Sequence, residues 1–176
     1  MRKIRLGKTE LIVTKNSFGA LPIQRLTTDE AVALLRQAYT AGMNFFDTAH
    51  GYTDSEEKIG LAFAGVRDQI ILATKTPAKT AKDVRADTLE SLRRMKTDYI
   101  DLMQLHNPAK VPLLGSEIYQ ELLKLKEEGL IRHIGLTNHK LPNAITAIES
   151  GLYETVQFPL SCLSSQEEFD MVRLAQ

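Results

Sequence analysis

The chain has 176 residues, of which 43% are hydrophobic and 25% charged, so it is one domain's worth of sequence able to bury a sizeable core. Its 22 basic and 22 acidic side chains cancel to a formal net charge of zero, which leaves no global electrostatic case for nucleic acid or an anionic membrane. No apolar run approaches the roughly twenty residues of a bilayer span, the basic start Met1 to Arg5 lacks the apolar stretch of a secretion signal, and the single cysteine, Cys162, excludes an internal disulfide. The expectations are a cytoplasmic protein without a cysteine-built metal site, and Cys162 as a small buried hydrophobe.

Arg2 to Leu6 and Leu11 to Val13 are β-prone runs around Gly7-Lys8-Thr9-Glu10 and predict a small β-hairpin. Ser17 to Leu21 reads as a first core strand, ended by Pro22. Thr27-Thr28-Asp29-Glu30 has capping-box form, in which a hydroxyl and a carboxylate satisfy free amides at a helix start. Ala31, Leu34, Leu35, Ala38 and Tyr39 then fall on one helical face, and Gly42 is a natural stop. Asn44 to Phe46 is a short apolar strand ending at Asp47, with Tyr52 in the loop beyond it.

Ser55-Glu56-Glu57 opens a second helix with Ile59, Ala62 and Phe63 inward. Ile70 to Thr74 is a continuous run of the kind that suits a strand covered on both faces, and it ends at Lys75. Thr80 to Asp83 begins a third helix carrying Leu89, Leu92 and Met95, and Arg93-Arg94-Met95-Lys96 reads as its solvated end, favoured by the helix dipole. Tyr99 to Leu105 is a fourth strand ending at His106, and Pro108 and Pro112 keep the following loop from being helical. Ser116 caps a helix with Ile118, Leu122 and Leu125 inward. His133 to Leu136 is a fifth strand ending at Thr137-Asn138-His139, and a helix near Asn143 to Glu149 follows. Thr155 to Phe158 is a sixth strand, and the capping box Ser165-Gln166-Glu167-Glu168 opens a last helix carrying Phe169 and Val172.

Strand, loop and helix alternate about six times with no separate run of strands, which predicts a parallel α/β fold. No Gly-x-Gly-x-x-Gly follows the first strand, against a classical dinucleotide-binding doubly wound sheet. Polar residues recur at the strand ends, and in a barrel those ends converge on one mouth. The predicted fold is therefore a (β/α)8 TIM-barrel type, incomplete with about six βα units against the eight of a full barrel. Residues 1–176 are taken as a single, partial barrel domain.

Asp47, Tyr52, Lys75 and His106 come from three successive strand ends. A phenol titrates near 10, and a nearby ammonium is expected to lower that value. An aspartate beside the lysine would hold it in place, and a histidine could orient a carbonyl oxygen or share the proton. Together they could protonate a carbonyl oxygen as hydride reaches its carbon. Singly, each has a plainer reading as a cap, an ion pair or a surface aromatic. His50, His133 and His139 show no metal-ligand spacing and read as solvated or hydrogen-bonded; no metal site is expected.

Phe46-Asp47-Thr48-Ala49-His50-Gly51-Tyr52, Ala73-Thr74-Lys75, Asp98-Tyr99-Ile100-Asp101-Leu102, Leu105-His106-Asn107, Ile134-Gly135-Leu136-Thr137-Asn138-His139 and Val156-Gln157-Phe158 occur in the order of the aldo-keto reductase family, which the chain resembles over nearly its whole length. The resemblance implies reversible reduction of a small carbonyl substrate with NADPH, NADH being the alternative. It implies Tyr52 as general acid, tuned by Lys75 and Asp47, with His106 orienting the substrate. It also implies Thr137, Asn138 and Gln157 on the nicotinamide amide, with Gly19 and Asp47 near the cofactor. The family's strands seven and eight, whose loops carry most contacts to the cofactor's phosphates, have no counterpart here. Open barrel edges are accordingly expected to favour self-association, and the rival reading is a non-catalytic barrel remnant serving as a binding or assembly subunit.

Overall fold

Six short parallel strands, each followed by a helix, curl into an incomplete barrel in the computed structural model, which describes residues 1–176. Ahead of them, β1 (Lys3–Arg5) and β2 (Ile12–Thr14) form the antiparallel hairpin. Its turn passes through Gly7 at φ +54°, and a Cβ there would lie 2.3 Å from the Glu154 carbonyl oxygen, so only glycine lets the hairpin sit this close to the barrel.

The barrel strands are β3 (Phe18–Gly19), β4 (Phe45–Asp47), β5 (Ile71–Thr76), β6 (Ile100–His106), β7 (Ile131–Thr137) and β8 (Thr155–Gln157). They pair in sequence order, every pair parallel, with β3 and β8 at the two edges. The edge strand β3 is shorter than the Ser17–Leu21 expected, because Leu21 already turns into the 3-10 segment Pro22–Arg25. Only one neighbour pairs with it, so no second ladder extends it.

The helices are α1 (Thr28–Thr40), α2 (Ser55–Ala62), α3 (Ala81–Met95), α4 (Glu117–Glu127), α5 (Leu141–Ser150) and α6 (Gln166–Leu174). Both capping boxes form, Thr27 with Glu30 and Ser165 with Glu168. The core lies between the helices and the outer face of the sheet, where Phe46, Leu72, Met103, Leu105, Ile134 and Leu136 meet Leu35, Ile59, Leu92 and Leu122.

Several burial expectations need correction. Leu34 and Leu89 are exposed. On α3 the buried stripe is Val84, Thr88, Ser91, Leu92 and Met95, so two hydroxyl residues occupy inward places. Thr88 is tolerated there because its hydroxyl donates to the Val84 carbonyl at 2.7 Å, and Ser91 because it meets His50 at 3.3 Å. On α6 the inward residue is Met171, while Phe169 is exposed. Cys162 is exposed too, in the loop before α6, where no element packs over it. Arg94 is not a solvated helix end: it reaches back to Glu56, Glu57 and Glu90 and donates to the His50 carbonyl. No helix is long and apolar enough to cross a membrane.

Candidate active site

Alternate residues of a strand share a face, and the parallel registers line these up in rows across the sheet. Asp47, Ala73, Leu102 and His133 form one row, Lys75, Gln104, Gly135 and Thr155 the next, and His106, Thr137 and Gln157 the last. The last row stands at the C-terminal ends of the strands, where a barrel opens. Gly135 makes room in the middle row: a Cβ there would lie 2.3 Å from Thr155 Oγ1 and 3.1 Å from Gln104 Cγ.

Buried Lys75 points its ammonium at Asp47 Oδ2, 2.5 Å away, and donates to the Thr48 carbonyl at 2.6 Å. The second carboxylate oxygen accepts from Gln104 Nε2 at 3.0 Å. Asp47 is thus held from two sides. Above this pair lies the Tyr52 ring, its centroid 5.4 Å from Lys75 Nζ, with the His106 ring edge-on at 5.8 Å and 79°. Lys75, Asp47 and Gln104 spend their hydrogen bonds on one another and on the backbone. The Tyr52 hydroxyl makes none to the protein and faces a cleft of about 220 Å³.

The loop carrying Tyr52 is pinned from behind. The His50 amide donates to the Lys75 carbonyl at 2.9 Å, and the Tyr52 amide to the Ala49 carbonyl at 2.9 Å. Thr74 and Thr76 flank Lys75 and point away from the cleft, where their hydroxyls donate to Glu56 and Asp87. Both carboxylates flank the His50 ring, Glu56 at 3.8 Å from Nδ1 and Asp87 at 3.5 Å from Nε2. One imidazole therefore ties α2 and α3 to the turn between Asp47 and Tyr52.

The environment fixes two protonation states. Burial pushes the Tyr52 phenol above its ordinary 10, and the Asp47 charge pushes it the same way. The sequence expectation was the opposite direction. The reason is that burial, joined by the Asp47 carboxylate, outweighs the Lys75 ammonium, whose charge is partly offset by its ion pair with Asp47. Tyr52 consequently holds its proton at neutral pH. Burial, and then the Lys75 charge, lower His106 below 6.5, so its imidazole is neutral there.

Thr137, Asn138, His139, Gln157, Phe158 and Pro159 complete the cleft. Thr137 Oγ1 accepts from the Asn107 amide at 3.2 Å. Asn138 is nearly saturated, donating to the Pro108 carbonyl at 2.9 Å and accepting from the Lys140 amide at 2.9 Å. Exposed Gln157 makes no side-chain hydrogen bond, so its whole carboxamide is open to the cleft. Gly19 is not brought in with the rest. It lies on the edge strand opposite Asp47 in register, outside the cleft lining, with open space where a Cβ would be. Gln104 was missed from sequence, although a polar residue two before His106 in an otherwise apolar strand must share its face. No group of three or more His, Cys, Asp or Glu is placed to hold a metal ion.

The model of the aldo/keto reductase family matches residues 14–176, and the chain belongs to that family. It is 36% identical over 149 residues to L-galactose dehydrogenase of Arabidopsis thaliana, covering 75% of this chain and 47% of that protein. It is 36% identical over 158 residues to methylglyoxal reductase DkgB of Salmonella typhi, covering 85% of this chain and 58% of that one. Among solved structures, an aldo-keto reductase from Klebsiella pneumoniae in complex with NADPH superposes with a TM-score of 0.84 at 27% identity, over 98% of this chain and 64% of that chain. The chain spans about half the length of its relatives, between 47% and 51% for three of them.

Proposed function

We propose that the cleft reduces a small aldehyde or ketone to its alcohol, with NADPH as cofactor and Tyr52 as general acid. The observation that carries this reading is a Tyr52 hydroxyl, free of protein partners, beside the ion pair of buried Lys75 with half-buried Asp47 in an open cleft. Family membership supports it, as do a relative named for methylglyoxal reduction and a neighbour solved with NADPH. NADH is the alternative cofactor. Residues 1–176 act in this reading as a single, partial barrel domain.

The donor set fits a nicotinamide. Gln157 offers a free carboxamide, Asn138 one remaining N–H, and Thr137 a hydroxyl at the same wall, a combination suited to a primary amide on a ring. Gly19 and Asp47 would border the cofactor on the opposite side. NADPH, when bound, supplies hydride to the carbonyl carbon.

The Tyr52 hydroxyl donates its proton to the carbonyl oxygen as the C=O double bond becomes a C–O single bond and new C–H and O–H bonds form. The phenolate left behind is stabilised by the Lys75 ammonium, which Asp47 and the Thr48 carbonyl keep oriented. Neutral His106 donates a ring N–H toward the same oxygen and fixes the carbonyl before transfer. Tyr52 is reprotonated from water at the cleft.

A binding or assembly role is the second reading. It is favoured by the open edges β3 and β8, each paired on one side only. Titrating the chain with NADPH and following its fluorescence separates the two. Saturable binding together with carbonyl-dependent NADPH oxidation is the expected result, and loss of turnover in Tyr52→Phe with binding retained identifies the acid. No binding at millimolar NADPH leaves the second reading standing.

A further inference from the structure

Beyond the catalytic cleft lies a larger groove of about 490 Å³ that shares His106 with it. One wall is the loop after β5, Thr76 to Lys79; the other is the loop after β6, Asn107 to Pro112. Both walls are fixed. On the first, Thr76 Oγ1 donates to Asp87 and accepts from the Ala78 amide at 3.0 Å. On the second, the Pro108 carbonyl accepts from Asn138 at 2.9 Å and from Asn143 at 3.2 Å, and the Pro112 carbonyl accepts from Tyr153 at 2.6 Å. Pro77, Pro108 and Pro112 stiffen the backbone further. Such a groove needs little ordering on binding, which favours a specific ligand over a general one.

Its charge is one-sided. The only formally charged side chains in the lining are Lys79 and Lys110, one on each wall, and no Asp or Glu is among them. Neither lysine takes part in an ion pair, whereas the acids of neighbouring α3 are committed elsewhere, Asp83 to Thr80 and Asp87 to Thr76. Two lysines without ion-pair partners therefore line a groove that shares His106 with the proposed reaction centre. No carboxylate among the lining residues is there to neutralise them.

We propose that this groove makes the protein selective for carbonyl compounds bearing an anionic tail, a carboxylate above all, with Lys79 and Lys110 as the specificity-determining residues. The proposal rests on the reading of the cleft as a carbonyl reductase site. The carbonyl sits at Tyr52 and His106, the tail runs past His106 between the two loops, and the carboxylate ends between the ammonium groups. The walls supply position, and the lysines supply preference for charge over shape.

The test compares two ligands of similar shape, 4-(hydroxymethyl)benzoate and its methyl ester, by calorimetric titration of the whole chain with and without saturating NADPH. It then compares reduction of the corresponding aldehydes, 4-carboxybenzaldehyde and methyl 4-formylbenzoate. The carboxylate should bind on the order of tenfold tighter, the sum of two partly exposed ion pairs, and the gap should narrow with added salt. The Lys79→Ala/Lys110→Ala double variant should erase the preference, and Lys79→Glu/Lys110→Glu should invert it. Both lysines are exposed, so the melting temperature should hold. Equal binding of the two ligands, absence of carboxylate binding at millimolar concentration, or a preference that survives the double variant overturns the proposal. The underlying reading fails separately: if carboxylate binding depends on the lysines but neither aldehyde is reduced, the groove stands and the reductase assignment falls.

Discussion

Two polar clusters occupy opposite ends of the same curled sheet, and both are built around a carboxylate with a nitrogen base. At the mouth, Asp47 is bound by Lys75 and Gln104. At the floor, Glu154 accepts from the Ile134 amide at 2.9 Å and from Lys126 at 2.9 Å, and meets His133 Nδ1 at 2.7 Å. The other ring nitrogen of His133 meets Glu10, carried in by the hairpin. What separates the two is completion. The Glu154, His133, Glu10 and Lys126 side chains of the floor all have partners, and the hairpin covers them, with the Lys8 amide donating to the Glu154 carbonyl at 2.8 Å. The mouth leaves one hydroxyl, that of Tyr52, and one carboxamide, that of Gln157, pointing into open space. A saturated cluster can only stabilise; an unsaturated one facing a cleft can also bind.

The comparison breaks most directly at Tyr52. Removing a general acid costs about 10²–10⁴-fold in rate, so Tyr52→Phe should lose carbonyl reduction on that scale while its thermal melt stays near that of the parent. Full retained turnover would take Tyr52 out of its role. Lys75→Met should lose activity and stability together, because it strands a largely buried Asp47; a broken buried pair costs about 3–5 kcal/mol in denaturant unfolding. A variant that melts like the parent would mean Asp47 is solvated.

At the floor, Glu154→Ala should cost about 1–3 kcal/mol by leaving the Ile134 amide and His133 short of an acceptor. NADPH affinity should not move. A change in affinity without a change in stability would invert the assignment of the two ends. The smallest effect is expected at Thr155, whose hydroxyl is buried without a partner. Thr155→Val should be neutral, or stabilising by up to about 1 kcal/mol, since it removes an unmet hydrogen-bonding group; marked destabilisation would reveal a partner for that hydroxyl.

pH sharpens the same contrast. Burial by itself would raise Glu154, but the hydrogen bonds from His133, the Ile134 amide and Lys126 outweigh it and hold the carboxyl below 4.5. Its contribution to stability is present above 4.5 and is lost as pH falls through the folded value. His106 is also held below its ordinary 6.5, so the unfolded chain takes up that proton first and stability declines as pH falls below 6.5. The activity profile should therefore stay level through neutrality and drop on the acid side only below 6.5. A drop beginning above 6.5 would contradict the neutral-histidine reading.

Much of the fold is legible in the sequence because its signals are local. Thr27 with Glu30 and Ser165 with Glu168 specify helix starts within four residues. Ile70 to Thr74 announces a covered strand by composition alone. The strand ends at Asp47, Lys75 and His106 follow, and parallel topology gathers strand ends at one mouth. Only the tertiary structure decided which partners those side chains take. Gln104 reaches Asp47 across 57 positions, and His133 reaches Glu10 across 123, pairings that depend on sheet register and hairpin placement rather than on any local pattern. The same holds for Ser91, inward because His50 meets it, and for Cys162, exposed because nothing packs over its loop. The direction of the Tyr52 shift belongs here too. Residue identities place an ammonium near a phenol, but how deeply that phenol is buried, and how far a carboxylate offsets the ammonium, depends on packing and distances that only the folded chain sets.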